Sequence, residues 1–286
     1  MHSKKYTRST FDPLVSLYLS QEWLVNKGEC VEKLLDLCKS SAEKELVIDL
    51  LERFTFLSSR KCEIILNDMV DQIFLRWALP EDKTQIVGMG TNADPDSSFQ
   101  VMQMLKRVLA ARGYRKPHLV NIIGNVQKNV AEYPNIVLVD EFVGTGTTVS
   151  GRIRSAKGNI ESMIKSKSLS VTYDIRVCVM AAMSASQAVI KDVEYYSSVW
   201  LTKGISEWFA PDDIIKMTEL MLGIESYLDK DALAERYKEF PSLGWGGAEA
   251  LYAMDNGNTP NSVFPIFWWP AALGKQGYQP ILARWD

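Results

Sequence analysis

Two adjacent acids, Asp140 and Glu141, lie inside the run NIVLVDEFVGTGTTVSG, Asn135 to Gly151. The apolar residues before them read as a buried strand, and a turn of glycine and threonine follows. Carboxylates accept hydrogen bonds without donating any, so a pair at a strand end suits the vicinal hydroxyls of a sugar. The turn GTGTT, Gly144 to Thr148, can bend tightly and offer backbone N–H groups together with the hydroxyls of Thr145, Thr147 and Thr148. A helix opening there would favour an anion at its N-terminus. Acids for a diol beside an anion cradle describe a ribose 5-phosphate.

Two other glycine-rich templates do not fit. A P-loop closes on Gly-Lys-Ser/Thr, whereas Gly146 is followed by Thr147 and Thr148. A dinucleotide fingerprint needs a third glycine where Val149 stands, and it places its acid well after the glycines. With only His2 and His118 in the chain, chemistry built on a histidine base has little to draw on.

The elements that must hold this motif follow from periodicity. VEKLLDLCKSSAEKELVIDLLERFTFL and CEIILNDMVDQIFLRWAL carry apolar residues at helical spacing, the second closed by Pro80. Beyond Pro80, TQIVGMG, HLVNII, NIVLVD, VTYDIRVCVMAAM and EYYSSVWLTKG read as strands. SSFQVMQMLKRVLAARG, VSGRIRSAKGNIESMIKS and SASQAVIKDV read as the helices between them. Such alternation implies an α/β fold, a parallel-rich sheet flanked by helices. PDDIIKMTELMLGIESYL then starts a helix with proline and two acids, and the tail after Pro241 is rich in Gly, Asn, Pro and aromatics. The expected organisation is a helical N-terminal extension over 1–80 packed on the core, an α/β core over 81–210, and a helical, aromatic-rich extension over 211–286.

VLVDEFVGTGTT resembles the PRPP-binding loop of type I phosphoribosyltransferases: apolar residues, two acids, two variable residues, then a Thr/Gly-rich turn. The resemblance implies that Asp140 and Glu141 address the ribose hydroxyls as catalytic residues. It implies that Val143, Gly144, Thr145, Gly146, Thr147 and Thr148 form the 5-phosphate loop. NTPNSVFPIFW, near the C-terminus, looks like a signature of the PRTase-CE group of prokaryotic conflict systems. That likeness implies an effector or accessory role in antiphage defence, some of it in retron-type operons beside a reverse transcriptase and its nucleic acid. The ligand would be PRPP or a nucleotide, and Mg²⁺ the cofactor, with Asp140 its candidate ligand. The same pocket could sense PRPP or a nucleotide without turnover, or persist as a relic in a scaffold.

Other residues divide between ligand and structure. In GMGTNADPDSSF, Ser97 and Ser98 could meet pyrophosphate or cap the following helix, and Asp94 and Asp96 could hold Mg²⁺. Lys203 after the last strand could reach a phosphate or base, or face solvent. Arg115 and Lys116 read as a solvated basic turn. Asn258 and Asn261 could read a base edge or build a turn. Trp245 and FPIFWWP suit a core or interface better than a stacked base. A net charge of -3 gives no global attraction to nucleic acid or anionic lipid, no apolar run spans a bilayer, and four dispersed cysteines suit reduced thiols in the cytoplasm.

Overall fold

The computed structural model describes residues 8–91 and 97–285. They divide into two compact units: residues 59–201, and a second formed by the chain up to Ser58 together with the chain from Thr202. In chain order the elements are α1 (Arg8–Ser20), α2 (Gly28–Leu35), α3 (Ser41–Glu52), β1 (Thr55–Leu57), α4 (Ser59–Asp71), β2 (Thr84–Gly88) and α5 (Ser97–Ala111). There follow β3 (His118–Val120), β4 (Asn135–Val143), α6 (Thr147–Ser166), β5 (Asp174–Met183), β6 (Glu194–Leu201), α7 (Pro211–Glu225) and β7 (Tyr252–Met254).

The unit of residues 59–201 is α/β. Its five strands lie in the order β3-β2-β4-β5-β6, and every pair is parallel. β4 sits in the middle because its apolar run suits burial on both faces; Ile136 to Val139 are all fully buried. On one face α5 packs on β2 and β4 while α4 packs on β5 and β6, and the two helices touch. On the other face Val149, Ile153, Ala156 and Ile160 of α6 share a core with Ile136, Leu138, Val177 and Val179. The four-residue rhythm on α6 is what places that apolar stripe against the sheet.

The sequence assigned residues 59–80 to a helical extension, but the contacts put them in the α/β unit. The reason is a polar clamp that periodicity does not report. Asp68 of α4 accepts hydrogen bonds from Tyr196 Oη and Ser198 Oγ of β6, each 2.6 Å, and from Arg76 Nη2 at 2.7 Å. Burial pushes the Asp68 carboxyl up, but these three donors outweigh it and hold the group below its ordinary value. Residues 202–210, read as the end of the core, belong with the other unit. SASQAVIKDV forms a single 3₁₀ turn, Ser184–Ala188, instead of a helix. There the Ser186 hydroxyl donates to the Met183 carbonyl at 2.6 Å, a local bond that competes with helix propagation. β3 is shorter than HLVNII suggested, because the Ile123 N–H leaves the ladder to donate to the Gly90 carbonyl at 3.0 Å.

The second unit joins the two ends of the chain. α3 packs on α1 and α7, and β1 pairs in parallel with β7, Phe56 opposite Ala253. A capping box starts α3: Ser40 Oγ accepts the Glu43 N–H and the Glu43 carboxylate accepts the Ser40 N–H. Glu43 Oε1 also accepts from Tyr227 Oη at 3.1 Å. Phe264, Phe267, Trp268 and Trp269 are buried at the centre of this unit. Trp268 donates to the Val263 carbonyl at 2.8 Å and Trp269 to the Asp229 carbonyl at 2.7 Å, so both indoles are satisfied. The aromatic signature is therefore a core, and Trp245 alone among the aromatics singled out there is exposed.

Candidate functional site

The chain enters the five-stranded sheet at β2, lays β3 on one side, and returns to lay β4 on the other. Strand order thus reverses between β2 and β4, the place where parallel sheets open a ligand crevice beyond their carboxyl ends. The last β2 residue in register, Gly88, faces Val139, so β4 projects past its neighbour from Asp140 onward. The motif acids occupy that projecting end.

The two acids meet different surroundings. Asp140 is half-buried, and its Oδ1 accepts two bonds of 2.8 Å, from Ser97 Oγ and from the Glu141 N–H. Glu141 is only 1% exposed. Two adjacent carboxylates looked equivalent in sequence, but only Asp140 is open to a ligand in this conformation. Val143, also buried, ends the strand against the α6 side of the core.

The turn then delivers a helix end. Gly146 has φ of 82°, a left-handed conformation for which glycine is the natural residue. A Cβ there would lie 3.2 Å from both Cβ and the carbonyl oxygen of Ser186, so the position is sterically closed as well. From Gly146 the chain runs into α6, 20 residues long, with no side-chain cap and no acid in its first turn. Its N-terminal end therefore carries the positive end of a long dipole. The Thr145 hydroxyl donates to Thr147 Oγ1 at 3.2 Å, and Thr147 and Thr148 are exposed. Gly144 is half-buried. The arrangement can receive an anion at the helix end within the same loop that presents Asp140.

The other sequence candidates separate. Ser97 is at the site, bonded to Asp140. Ser98 is buried and its Oγ accepts the Gly90 N–H at 2.9 Å, which gives it a structural task. Asp94 and Asp96 lie outside the described residues. Lys203 and Asn258 belong to the other unit. The Lys203 backbone N–H donates to Glu207. The Asn258 amide is fully engaged with Trp285, donating to its carbonyl at 2.9 Å and accepting its N–H at 2.8 Å. These two bonds tie Asn258 to the backbone of Trp285 near the chain's end. No local pattern announces the Ser97–Asp140 contact, since 43 residues separate the start of α5 from the end of β4.

Among the described residues no group of three or more His, Cys, Asp and Glu side chains is set to hold a metal ion. Mg²⁺ bound with a diphosphate takes only one or two protein carboxylates, and a half-buried Asp140 fits that demand. No described helix is long and apolar enough to cross a membrane. All four cysteines are free thiols; burial raises Cys38 to about 12 and pushes Cys178 up as well.

A parallel sheet with this strand order, an acid at its central strand end and a Thr/Gly turn into a helix define a type I phosphoribosyltransferase-like protein. The chain belongs to the PRTase-CE family, which matches residues 33–284. No curated protein matches the sequence. Among solved structures, a hypothetical protein from Neisseria gonorrhoeae with bound ppGpp is similar at 12% identity, covering 58% of this chain and 96% of that one, TM-score 0.35. An HGPRT-ase from Leishmania tarentolae in complex with GMP shares 15% identity over 51% of this chain and 80% of its own, TM-score 0.36. A phosphoribosyltransferase from Corynebacterium diphtheriae shares 14% identity over 61% and 96%, TM-score 0.31.

Proposed function

We propose that the α/β unit binds PRPP or a nucleotide through its ribose 5-phosphate and transfers or releases the phosphoribosyl group. The observation that carries this reading is the placement of Asp140 and the α6 N-terminus on one projecting strand end, where strand order reverses. The 5-phosphate would meet the N–H groups and hydroxyls of Gly144 to Thr148, and the diol would meet Asp140. Mg²⁺, held by Asp140 together with the ligand's diphosphate, would neutralise charge on the leaving pyrophosphate. Departure of that group leaves oxocarbenium character at the sugar, so positioning and fixed charge suffice and no histidine base is required. PRTase-CE membership supports placing this chemistry in antiphage defence, with a reverse transcriptase and its nucleic acid as candidate operon partners.

One observation favours a second reading. With Glu141 buried, a single carboxylate is open to the ligand, as suffices for sensing PRPP or a nucleotide without turnover. The two readings separate on incubation with PRPP, Mg²⁺ and a nucleotide pool while pyrophosphate and base are followed. Release of either supports the enzyme. Saturable PRPP binding without release supports the sensor, and absence of both rejects the ribose-phosphate site.

A further inference from the structure

We infer that Ser97 is a positioning residue: its hydroxyl aims the Asp140 carboxylate and couples it to the start of α5. The inference rests on the ribose-phosphate reading above. Two neighbouring serines open α5, and the structure gives them different tasks. Ser98 is buried, and its Oγ accepts the Gly90 N–H, joining the end of β2 to the start of α5. The Gly90 carbonyl in turn accepts the Ile123 N–H at 3.0 Å. The helix start is thus held without Ser97.

Ser97 instead reaches across to β4 and donates to Asp140 Oδ1 at 2.8 Å, the oxygen that also accepts the Glu141 N–H at 2.8 Å. Two donors on one oxygen, from two different elements, restrict rotation of the carboxylate. A group already oriented loses less freedom when a diol arrives. The bond spans the crevice between the β2 and β4 ends, which makes the geometry of the acid depend on both.

The test is titration calorimetry of the full chain with PRPP and Mg²⁺, for the wild type, Ser97→Ala and Ser97→Thr. The expected result is roughly tenfold weaker binding by Ser97→Ala, the scale of one hydrogen bond to a charged group. The melting temperature of that variant should stay unchanged, and Ser97→Thr should restore binding. A helix-start role alone would lower the melting temperature and leave the affinity of the folded protein in place. Unchanged affinity in Ser97→Ala would overturn the inference, as would a loss that Ser97→Thr does not restore. Failure of the wild type to bind PRPP would instead reject the ribose-phosphate reading, and this inference with it.

Discussion

Asp140 and Glu141 are adjacent in sequence, yet they are expected to respond differently to substitution. Asp140→Asn removes charge from a half-buried group while leaving its size, so folding should be little affected. PRPP affinity should fall roughly tenfold to a hundredfold, as for a lost charge-assisted hydrogen bond. Glu141→Ala empties a buried volume, so its main effect should be a lower melting temperature. Measuring affinity and melting on both variants distinguishes them; equal affinity loss with stable folding in each would show that Glu141 also meets the ligand. A third carboxylate gives a pH prediction. Burial raises Glu225 from its ordinary 4.5 to about 7, offset only in part by donation from Ser242 Oγ and the Leu243 N–H and by nearby Lys230. The folded state then binds the proton more tightly than the unfolded chain. Its contribution is fully present below pH 4.5 and is lost as pH rises towards 7, on the order of 3 kcal/mol. Urea denaturation should show stability falling across that window, and Glu225→Gln should flatten the slope.

At the scale of elements, the Gly146 turn is the feature whose geometry most constrains the site. Gly146→Ala would place a methyl in a left-handed conformation and within 3.2 Å of Ser186, at a cost of about 1–3 kcal/mol. Denaturant midpoints should drop accordingly, and phosphate-dependent binding should fall further than stability alone explains. β4 and α6 were legible in the sequence because the motif joins a run of buried apolar residues to a helical stripe. α5 was legible for the same reason of periodicity. What escaped notice was held by polar contacts between residues distant in sequence. The Asp68 clamp that assigns α4 to the sheet spans 128 and 130 residues to its hydroxyl donors, and no local pattern encodes it. The 3₁₀ turn at Ser184–Ala188 was missed because a single serine hydroxyl redirects the backbone there. Burial of Glu141 was hidden because nothing local in two adjacent acids says which one the fold covers.

At the scale of the whole molecule, the division into two units makes residues 59–201 a candidate for independent folding. That segment has its own apolar core over α6 and the sheet, and the clamp holding α4 lies within it. Expressed alone it should melt in one cooperative transition, read by circular dichroism and calorimetry together. Removing residues 1–79 should fail for two separate reasons. The cut takes α4 from the sheet, and it takes β1 and α3 from β7 and α7. A truncated chain that remained soluble and melted cooperatively would contradict both. The domain limits expected at 80 and 210 followed a change of composition, whereas the observed limits follow which residues touch.

The pairing of β1 with β7 also has a timetable. Thr55–Leu57 leaves the ribosome early, but its partner Tyr252–Met254 is made 197 residues later, by the difference between 252 and 55. At about 5–20 residues per second, the wait is roughly ten to forty seconds. Throughout it, Phe54 and Trp23 remain without the aromatic cluster that later includes Phe267, and the α/β unit is completed only within it, at residue 201. A nascent chain halted late in that interval, after residue 201, would carry a completed α/β unit and a still unclosed hydrophobic surface. Chaperone demand should therefore be greatest after the sheet is made and before Phe264–Trp269 emerges.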